Sequence, residues 1–510
     1  ALSTIIPATM GHRRRKYQVA QPVTAPGSDV RGRHVGASPA YDVLSDTHAQ
    51  EIIDATYAIL RDVGVGFEPD PRVMELFSNA GCEITADSLV RFPTRIVENA
   101  LSGMAKSTRL WNRPGNDSIK IDGEHTWFFT GMTCIKVFDD MTGEARDSNR
   151  EDLARVTRVS DALSNIDAVS IGCKNVEHSG ICGEVDEFIT LVQNTEKPLE
   201  YLCEYPESLA AVLETAATIR GSREALADKP YFMHLVTPLP LYYAKIHTDQ
   251  IIMAVEAGVP LAMGTVTIGG ASAPITMAGC ITHSLATDFA GMVLAQLLRP
   301  GAFCIGGSDS AFMEAATGGI GAFSQTSMAD MAMCQISRKL GFPSLTGVGG
   351  CANARRFNQD AVWEISSTMM QTFYSRPATC DYLGSLDEGI TFSLHALLLG
   401  NELAGLLRKM WQGLAVDEDS MAMELTFQEG PRGNYLAQEH TVRHCRTEGW
   451  DAQYLGAKLP VSSGSRPDQD LFERLDEDLQ RILQNHTPVA LDPEITKQIL
   501  SNKFCTVDPI

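Results

Sequence analysis

The chain has 510 residues with 42 Lys and Arg against 63 Asp and Glu, a formal charge of −21. So acidic a balance excludes sequence-independent binding to a phosphate backbone, which needs clustered cations, and no nucleic-acid partner is expected. The 12 cysteines form no Cys-x-x-Cys pairs, as suits reduced thiols, and no window approaches the ~18 apolar residues of a membrane-spanning helix, so a soluble, cytoplasmic protein is expected. In chain order, residues 1–45 carry the basic run GHRRRK (11–16) in a leader containing Pro and Gly. They have no apolar stretch of signal-peptide length and read as an extended arm. Residues 46–120 read as a helical region: Thr47 can cap a run with Ile52, Ile53, Tyr57 and Leu60 that stops near DVGVG (62–66). IKVFDDMTGEARD (135–147) reads as a hairpin inserted into a larger body.

That body spans 121–415 and repeats one unit, a short apolar run followed by a longer helical pattern. The strand runs are TWFFTGM (126–132), DAVSIGC (167–173), LEYLCE (199–204), YFMHLVTP (231–238), VPLAMGTV (259–266), AFCIGGS (302–308), PSLTGVG (343–349) and ATCDYLGS (378–385). Between them, Thr248 can cap a helix stopped by Gly258 and Pro260, and Ser327 one stopped by Gly341 and Pro343. Alternating strands and helices imply parallel pairing with right-handed crossovers. Eight of them predict a (β/α)8 TIM barrel of the α/β class with N-terminal and C-terminal helical additions; an open doubly wound sheet is the runner-up. Residues 416–510, helical with an acidic stretch at 467–483, read as a region packed on the barrel or as an assembly surface, and a homo-oligomer is expected.

In a barrel the chemistry gathers on the loops after the strands. Those loops hold Glu204, Gly269, Gly270, Asp309, Phe312 and GVGGCANARR (347–356), where glycines, a thiol and two guanidiniums crowd the end of the seventh strand. His440 and His444 lie at i and i+4 on one helical face, a spacing that can bind zinc. No second half of a metal site is visible, so no metal is expected and the pair stand as weak candidates. No Walker loop, dinucleotide fingerprint or Asp-x-His-x-x-Gly corrinoid signature occurs.

SQTSMADMAMCQISRKLGFPSLTGVGGCANARRFNQDAVWE (324–364), MGTVTIGGASAPITMAG (263–279), GMVLAQLLRPGAF (291–303) and GPRGNYLAQEHTVRH (430–444) resemble the trimethylamine methyltransferase family of corrinoid-dependent enzymes. The resemblance runs from about residue 46 to about 500. It implies a (β/α)8 barrel that moves a methyl group from an amine to Co(I) of a separate corrinoid protein, with no corrinoid tightly bound in this chain. Members acting on trimethylamine carry pyrrolysine after the seventh strand, and the resemblance puts Cys351 at that position. It therefore implies the non-pyrrolysine branch, whose members demethylate quaternary amines such as glycine betaine, proline betaine and carnitine. The chain departs from the family at Leu285-Ala286-Thr287, where relatives often have Asn-Ala-Glu, and at Asn353-Ala354-Arg355, where many have Asp-x-Lys.

The chemistry agrees with that branch. A quaternary nitrogen already carries the charge that makes it a leaving group, and it departs as a neutral amine needing no proton. The protein must align the N–methyl axis, exclude water and balance a fading positive charge. Aromatic faces and carboxylates suit this cation, which nominates Phe128, Phe129, His234, Phe312 and Tyr382 for substrate binding, Arg355 for a betaine carboxylate, and Glu204 and Asp309 beside the reacting centre. Cys351 reads as space-filling, since a methylated thiol is a poor methyl donor. Gly269, Gly270, Gly349 and Gly350 read as a backbone rim over which a corrin could approach. Glycine betaine, giving dimethylglycine, is the first candidate donor. Other donors, including the sulfonium dimethylsulfoniopropionate, a zinc-dependent reaction and a non-catalytic betaine-binding protein are the alternatives.

Overall fold

The computed structural model describes residues 31–34, 40–138, 143–307, 310–321, 323–346, 349–445, 447–450, 452–454 and 469–501. The basic run at 11–16 lies outside them. Eight parallel strands close a ring: β1 (Trp127–Thr130), β2 (a bridge at Ala168 and Val169), β3 (Leu199–Tyr201), β4 (Phe232–Val236), β5 (Leu261–Met263), β6 (Cys304–Gly306), β7 (Leu345–Thr346) and β8 (Thr379–Leu383). Each pairs with the next in sequence order, and β8 pairs with β1 through Thr379 opposite Trp127 and Cys380 opposite Phe128. The closed parallel ring is the expected (β/α)8 barrel, and all eight strands fall within the apolar runs read from the sequence.

The crossovers are α1 (Arg150–Ala162), α2 (Gly180–Asn194), α3 (Pro206–Arg220), α4 (Lys245–Ala257), α5 (Met277–Leu298), α6 (Phe323–Leu340), α7 (Gln359–Ser375) and α8 (Leu394–Trp411). The helix stops fall where the sequence placed them, with Gly258 and Gly341 at positive φ. The starts fall earlier. Helix α4 begins at Lys245, and Thr248 sits inside it, donating its hydroxyl to the Lys245 carbonyl. Ser327 is likewise inside α6. The first N-terminal helix, Asp46–Ala58, is capped by Ser45, not Thr47.

Residues 46–120 are less helical than expected. Helices Asp46–Ala58, Pro71–Ala80 and Thr94–Gly103 alternate with a small sheet in which Val65–Phe67 pairs antiparallel with Leu89–Arg91 and parallel with Tyr242–Tyr243 of the loop after β4. These helices pack on α5, so α5 is apolar on nearly every face, its outer side being covered as well as its inner one. The next segment, Thr108–Trp111 with Ser118–Ile121, is a hairpin closing the bottom of the barrel. Its Leu110, Ile119 and Ile121 join the inward side chains Trp127, Phe129, Met233, Ala262 and Ile305 in one buried cluster.

The hairpin expected at 135–147 forms, Lys136–Phe138 against Ala145–Asp147, with its turn outside the described residues. It extends a sheet with Thr391–Phe392 and Ser385–Leu386 at the opposite end of the barrel. Toward the C-terminus, Leu471–Asn485 packs Leu475 and Leu479 on α1 and α8, and Pro493–Leu500 packs on α3. The preceding segment, with helices Glu418–Met421, Met423–Glu429 and Glu439–His444 and the turns beside them, leaves Leu414, Val416, Phe427, Leu436 and Val442 exposed.

Candidate active site

The strands end in a two-lobed cavity. The inner lobe, about 380 Å³, is lined by Met132, Thr133, Lys174, Glu200, Leu202, Glu204, Leu235, Thr237, Asp381 and Tyr382, among others. The outer lobe, about 270 Å³, is lined by Ser310, Ala311, Ile320, Thr326, Cys351, Asn353, Thr368 and Glu388, among others. Met132, Thr133, Val266 and Tyr382 border both, so the lobes are two ends of one chamber. A larger cleft of about 810 Å³ lies outside the barrel between α3, α4 and the Pro493–Leu500 helix. It is away from the strand ends, where a barrel gathers its reactive groups, so the mouth chamber is the candidate site.

Strand parity decides who faces the chamber, because neighbouring residues point to opposite faces. On β3, Glu200 points in with Leu202; on β8, Asp381 does so, and an irregular register between Cys380 and Leu383 lets neighbouring Tyr382 border the chamber as well. Both carboxylates are almost fully buried, at 1% and 4% exposure. Ser170 donates its hydroxyl to Glu200 at 3.1 Å and Thr379 donates to Asp381 at 3.0 Å. Lys174, after β2, reaches Glu187 of α2 at 3.2 Å. Burial pulls the ammonium's pKa down, but the charges of Glu187 and Glu184 outweigh that and hold it above the usual lysine range. Glu187 also accepts the Asn175 amide, and Glu184 accepts the Glu204 amide. Thus α2 sets the two loops that carry Lys174 and Glu204.

On the far side, Asn358 caps α7 and directs its first turns at the loop after β7. Glu364 accepts the amides of Asn353 and Ala354, and Thr368 accepts that of Gly350. Asn353 donates its side-chain amide to the Gly321 carbonyl at 2.6 Å, and the Ala352 amide bonds the Ser385 carbonyl. These clamps present the half-buried Cys351 to the outer lobe.

The chamber brings together three of the expected residues, Glu204, Tyr382 and Cys351. Asp309 lies outside the described residues. The others are elsewhere. Phe128 has outward parity and stacks on Trp411 of α8 with the Arg408 guanidinium above its ring. Phe129 points inward but sits below the chamber in the floor cluster. His234, also of outward parity, meets Gln250 of α4 at 3.3 Å, and burial lowers its pKa to about 4. Phe312 is buried against Gly269, whose added Cβ would lie 2.6 Å from the ring. Arg355 is 90% exposed and meets Asp387 at 3.5 Å, while Arg356 pairs with Glu144.

The glycine rim is corrected too. Gly349 and Gly350 are buried. A Cβ on Gly349 would fall on Cys380 Sγ and within 2.6 Å of Thr372 Oγ1, and Gly350 has φ +84 with Leu383 beneath it. The glycines let the loop lie on β8 and α7, which is a packing demand and not a surface for a corrin. Gly269 is buried as well, leaving Gly270 as the exposed member.

His440 and His444 lie on the exposed C-terminal helices with Asp419, their ligand atoms within 4.8 Å of one another. His440 meets the Asp419 carbonyl at 2.9 Å and His444 its carboxylate at 3.0 Å. Arg443 donates to that carboxylate at 2.8 Å, so a guanidinium already balances its charge. Sequence reasoning missed Glu200 and Asp381. A carboxylate inside an apolar strand run was the available signal, because buried charge is too costly to persist without a use.

Residues 10–504 match the family described as Trimethylamine methyltransferase (MTTB). The chain belongs to the trimethylamine methyltransferase family. It is a methyltransferase. Among its relatives, a trimethylamine methyltransferase of Desulfitobacterium hafniense (strain DSM 10664 / DCB-2) is 25% identical over 90% of this chain and 92% of its own length. A glycine betaine methyltransferase of Desulfitobacterium hafniense (strain Y51) is 26% identical over 90% of this chain and 96% of its own. A crystal structure of the Methanosarcina barkeri monomethylamine methyltransferase superposes with TM-score 0.47 at 12% identity, covering 86% of this chain and 93% of that one. The barrel assignment rests on this chain's own strand pairing.

Proposed function

We propose that the chain transfers a methyl group from a small quaternary amine to Co(I) of a separate corrinoid protein, releasing a tertiary amine. The observation that carries this reading is the inner lobe, where Glu200, Glu204 and Asp381 surround a chamber bordered by Tyr382. A quaternary ammonium donates no hydrogen bond, so it is held by the field of nearby carboxylates and by an aromatic face. Glu200 and Asp381 are buried, which keeps their field strong, while Glu204 is exposed at the mouth.

The acceptor, when docked, supplies the electron pair that takes up the methyl carbon. Exposed Ile135, Val266 and Ile320 border the opening, an apolar rim on which a flat macrocycle carried by a partner could rest. Cys351 faces the outer lobe at the position where the family resemblance puts pyrrolysine. A thiol cannot make a tertiary amine cationic as an electrophilic imine can, which supports a donor that is already quaternary. Asn353 and Thr326 leave the outer lobe room for the donor's tail. Likeness alone puts glycine betaine first among donors. The exposed apolar helices around Leu414, Phe427 and Leu436 support a homo-oligomer, checked by sedimentation above the monomer mass.

Incubating the protein with Co(I) cobalamin and a panel of methylammonium compounds tests the reading spectroscopically. At least one quaternary amine should convert Co(I) to methyl-Co(III), and trimethylamine should not. Turnover of trimethylamine as fast as of every quaternary amine would contradict it.

A further inference from the structure

Within this reading, which the inference rests on, the donor's tail can be specified from the charge of the chamber. Among the described residues lining it stand four carboxylates, Glu200, Glu204, Asp381 and Glu388, against one cation, Lys174. That ammonium is already engaged with Glu187 at 3.2 Å. The arginines that a betaine carboxylate could have used are elsewhere, Arg355 being 90% exposed and joined to Asp387, and Arg356 being joined to Glu144. The outer lobe offers a tail Ser310, Thr326, Asn353, Cys351 and Ile320, which are neutral, and Glu388, which repels an anion.

We infer that the preferred methyl donor is a quaternary ammonium monocation whose fourth substituent carries no carboxylate, an alcohol or a simple alkyl group being what the chamber accommodates. The net positive charge is balanced by Glu200, Glu204 and Asp381. A zwitterion brings an anion into a space where, among the described lining residues, Lys174 is the one cation that could receive it, and receiving it competes with the pair to Glu187. Like charges brought together are a usual means of rejecting a wrong ligand, and the buried pair Glu200 and Asp381 is the least screened part of this set. In the transfer the N–CH3 bond breaks, its electron pair stays on nitrogen, and the methyl carbon bonds to the Co(I) acceptor through the acceptor's pair. The donor leaves as a neutral tertiary amine and no proton moves.

Isothermal titration of the full chain with choline, tetramethylammonium and glycine betaine, followed by methyl transfer to Co(I) cobalamin from each, tests this. Choline or tetramethylammonium should bind at least about tenfold more tightly than glycine betaine, 1.4 kcal/mol, and should be the better donor. In Asp381→Asn the ratio between choline and glycine betaine should shrink, because one repelling charge is gone while the cation loses one partner. A ratio is unaffected by a fraction of unfolded protein. Glycine betaine binding tighter than both monocations, with transfer, would overturn the inference and leave the quaternary-amine reading standing. Binding and transfer by none of the three would overturn both.

Discussion

The floor and the mouth of the barrel are built from the same eight strands, yet they are filled differently. At the floor, Trp127, Phe129, Met233, Ala262 and Ile305 meet a plugging hairpin, and the space is apolar and closed. On other strands of the same ring, β3 and β8, Glu200 and Asp381 hold buried charge around a cavity. The floor gains from burial, so its residues are there for stability. The mouth carries the cost of buried carboxylates, which is tolerable because the floor and the outer helical layer stabilise the fold. Stability and function are divided between the floor cluster and the chamber lining.

The comparison can be broken from either end. Phe129→Ala should have the largest effect, about 3–5 kcal/mol of unfolding free energy, read by denaturant melts, with donor specificity unchanged in the folded fraction. Glu200→Gln keeps the shape and the Ser170 contact but removes the charge. Methyl transfer should fall about 100-fold, about 2.7 kcal/mol in barrier, while the melting temperature holds or rises; a large drop in melting temperature with activity per folded molecule intact would make Glu200 structural.

Gly349→Val sharpens the boundary between the two ends. Its side chain would collide with Cys380 and Thr372, so a loss of about 1–3 kcal/mol in stability is expected from overpacking. Cys351→Ala should cost less than about tenfold in rate if the thiol only fills space, with loss beyond about 10³-fold, about 4 kcal/mol, showing covalent participation.

A pH experiment probes the floor side again. Lys197, just before β3, is half-buried, and its ammonium donates to the carbonyls of Ser160 and Leu163 at 2.7 and 2.6 Å. Burial, partly offset by Asp161, lowers its pKa from 10.5 to about 7. Between those values the unfolded chain binds the proton that the folded chain has lost, so stability rises with pH across that window. The rise should reach at most about 1.4 kcal/mol per pH unit and should be absent in Lys197→Met, as equilibrium melts between pH 7 and 9 would report.

The barrel was legible because its strands are contiguous apolar runs separated by helical patterns, and a closed parallel sheet leaves such runs little alternative. Helix ends followed the glycines, whose positive φ has a local cause. Helix starts were placed late at Thr47, Thr248 and Ser327 because a residue able to cap can also sit a turn inside, bonding its own backbone as Thr248 does. The small sheet at 65–91 was missed because its strands are two or three residues long. At the site, Glu204 and Cys351 could be read from loop position, and Tyr382 from its place near the end of the eighth strand run. Phe128 and His234 could not be placed, since strand parity depends on where each strand enters the barrel. The interplay of Lys174, Glu187 and Glu184 joins residues of a loop and a helix across the fold, and no short spacing announces it.

The most direct test of the central claim, that the mouth carboxylates hold a quaternary cation, is a crystal structure soaked with tetramethylarsonium and recorded at the arsenic edge. One strong anomalous peak is expected in the inner lobe among Glu200, Glu204 and Asp381, lost in the Glu200→Gln, Asp381→Asn double variant. A peak elsewhere, or an empty inner lobe at saturating tetramethylarsonium, would contradict it.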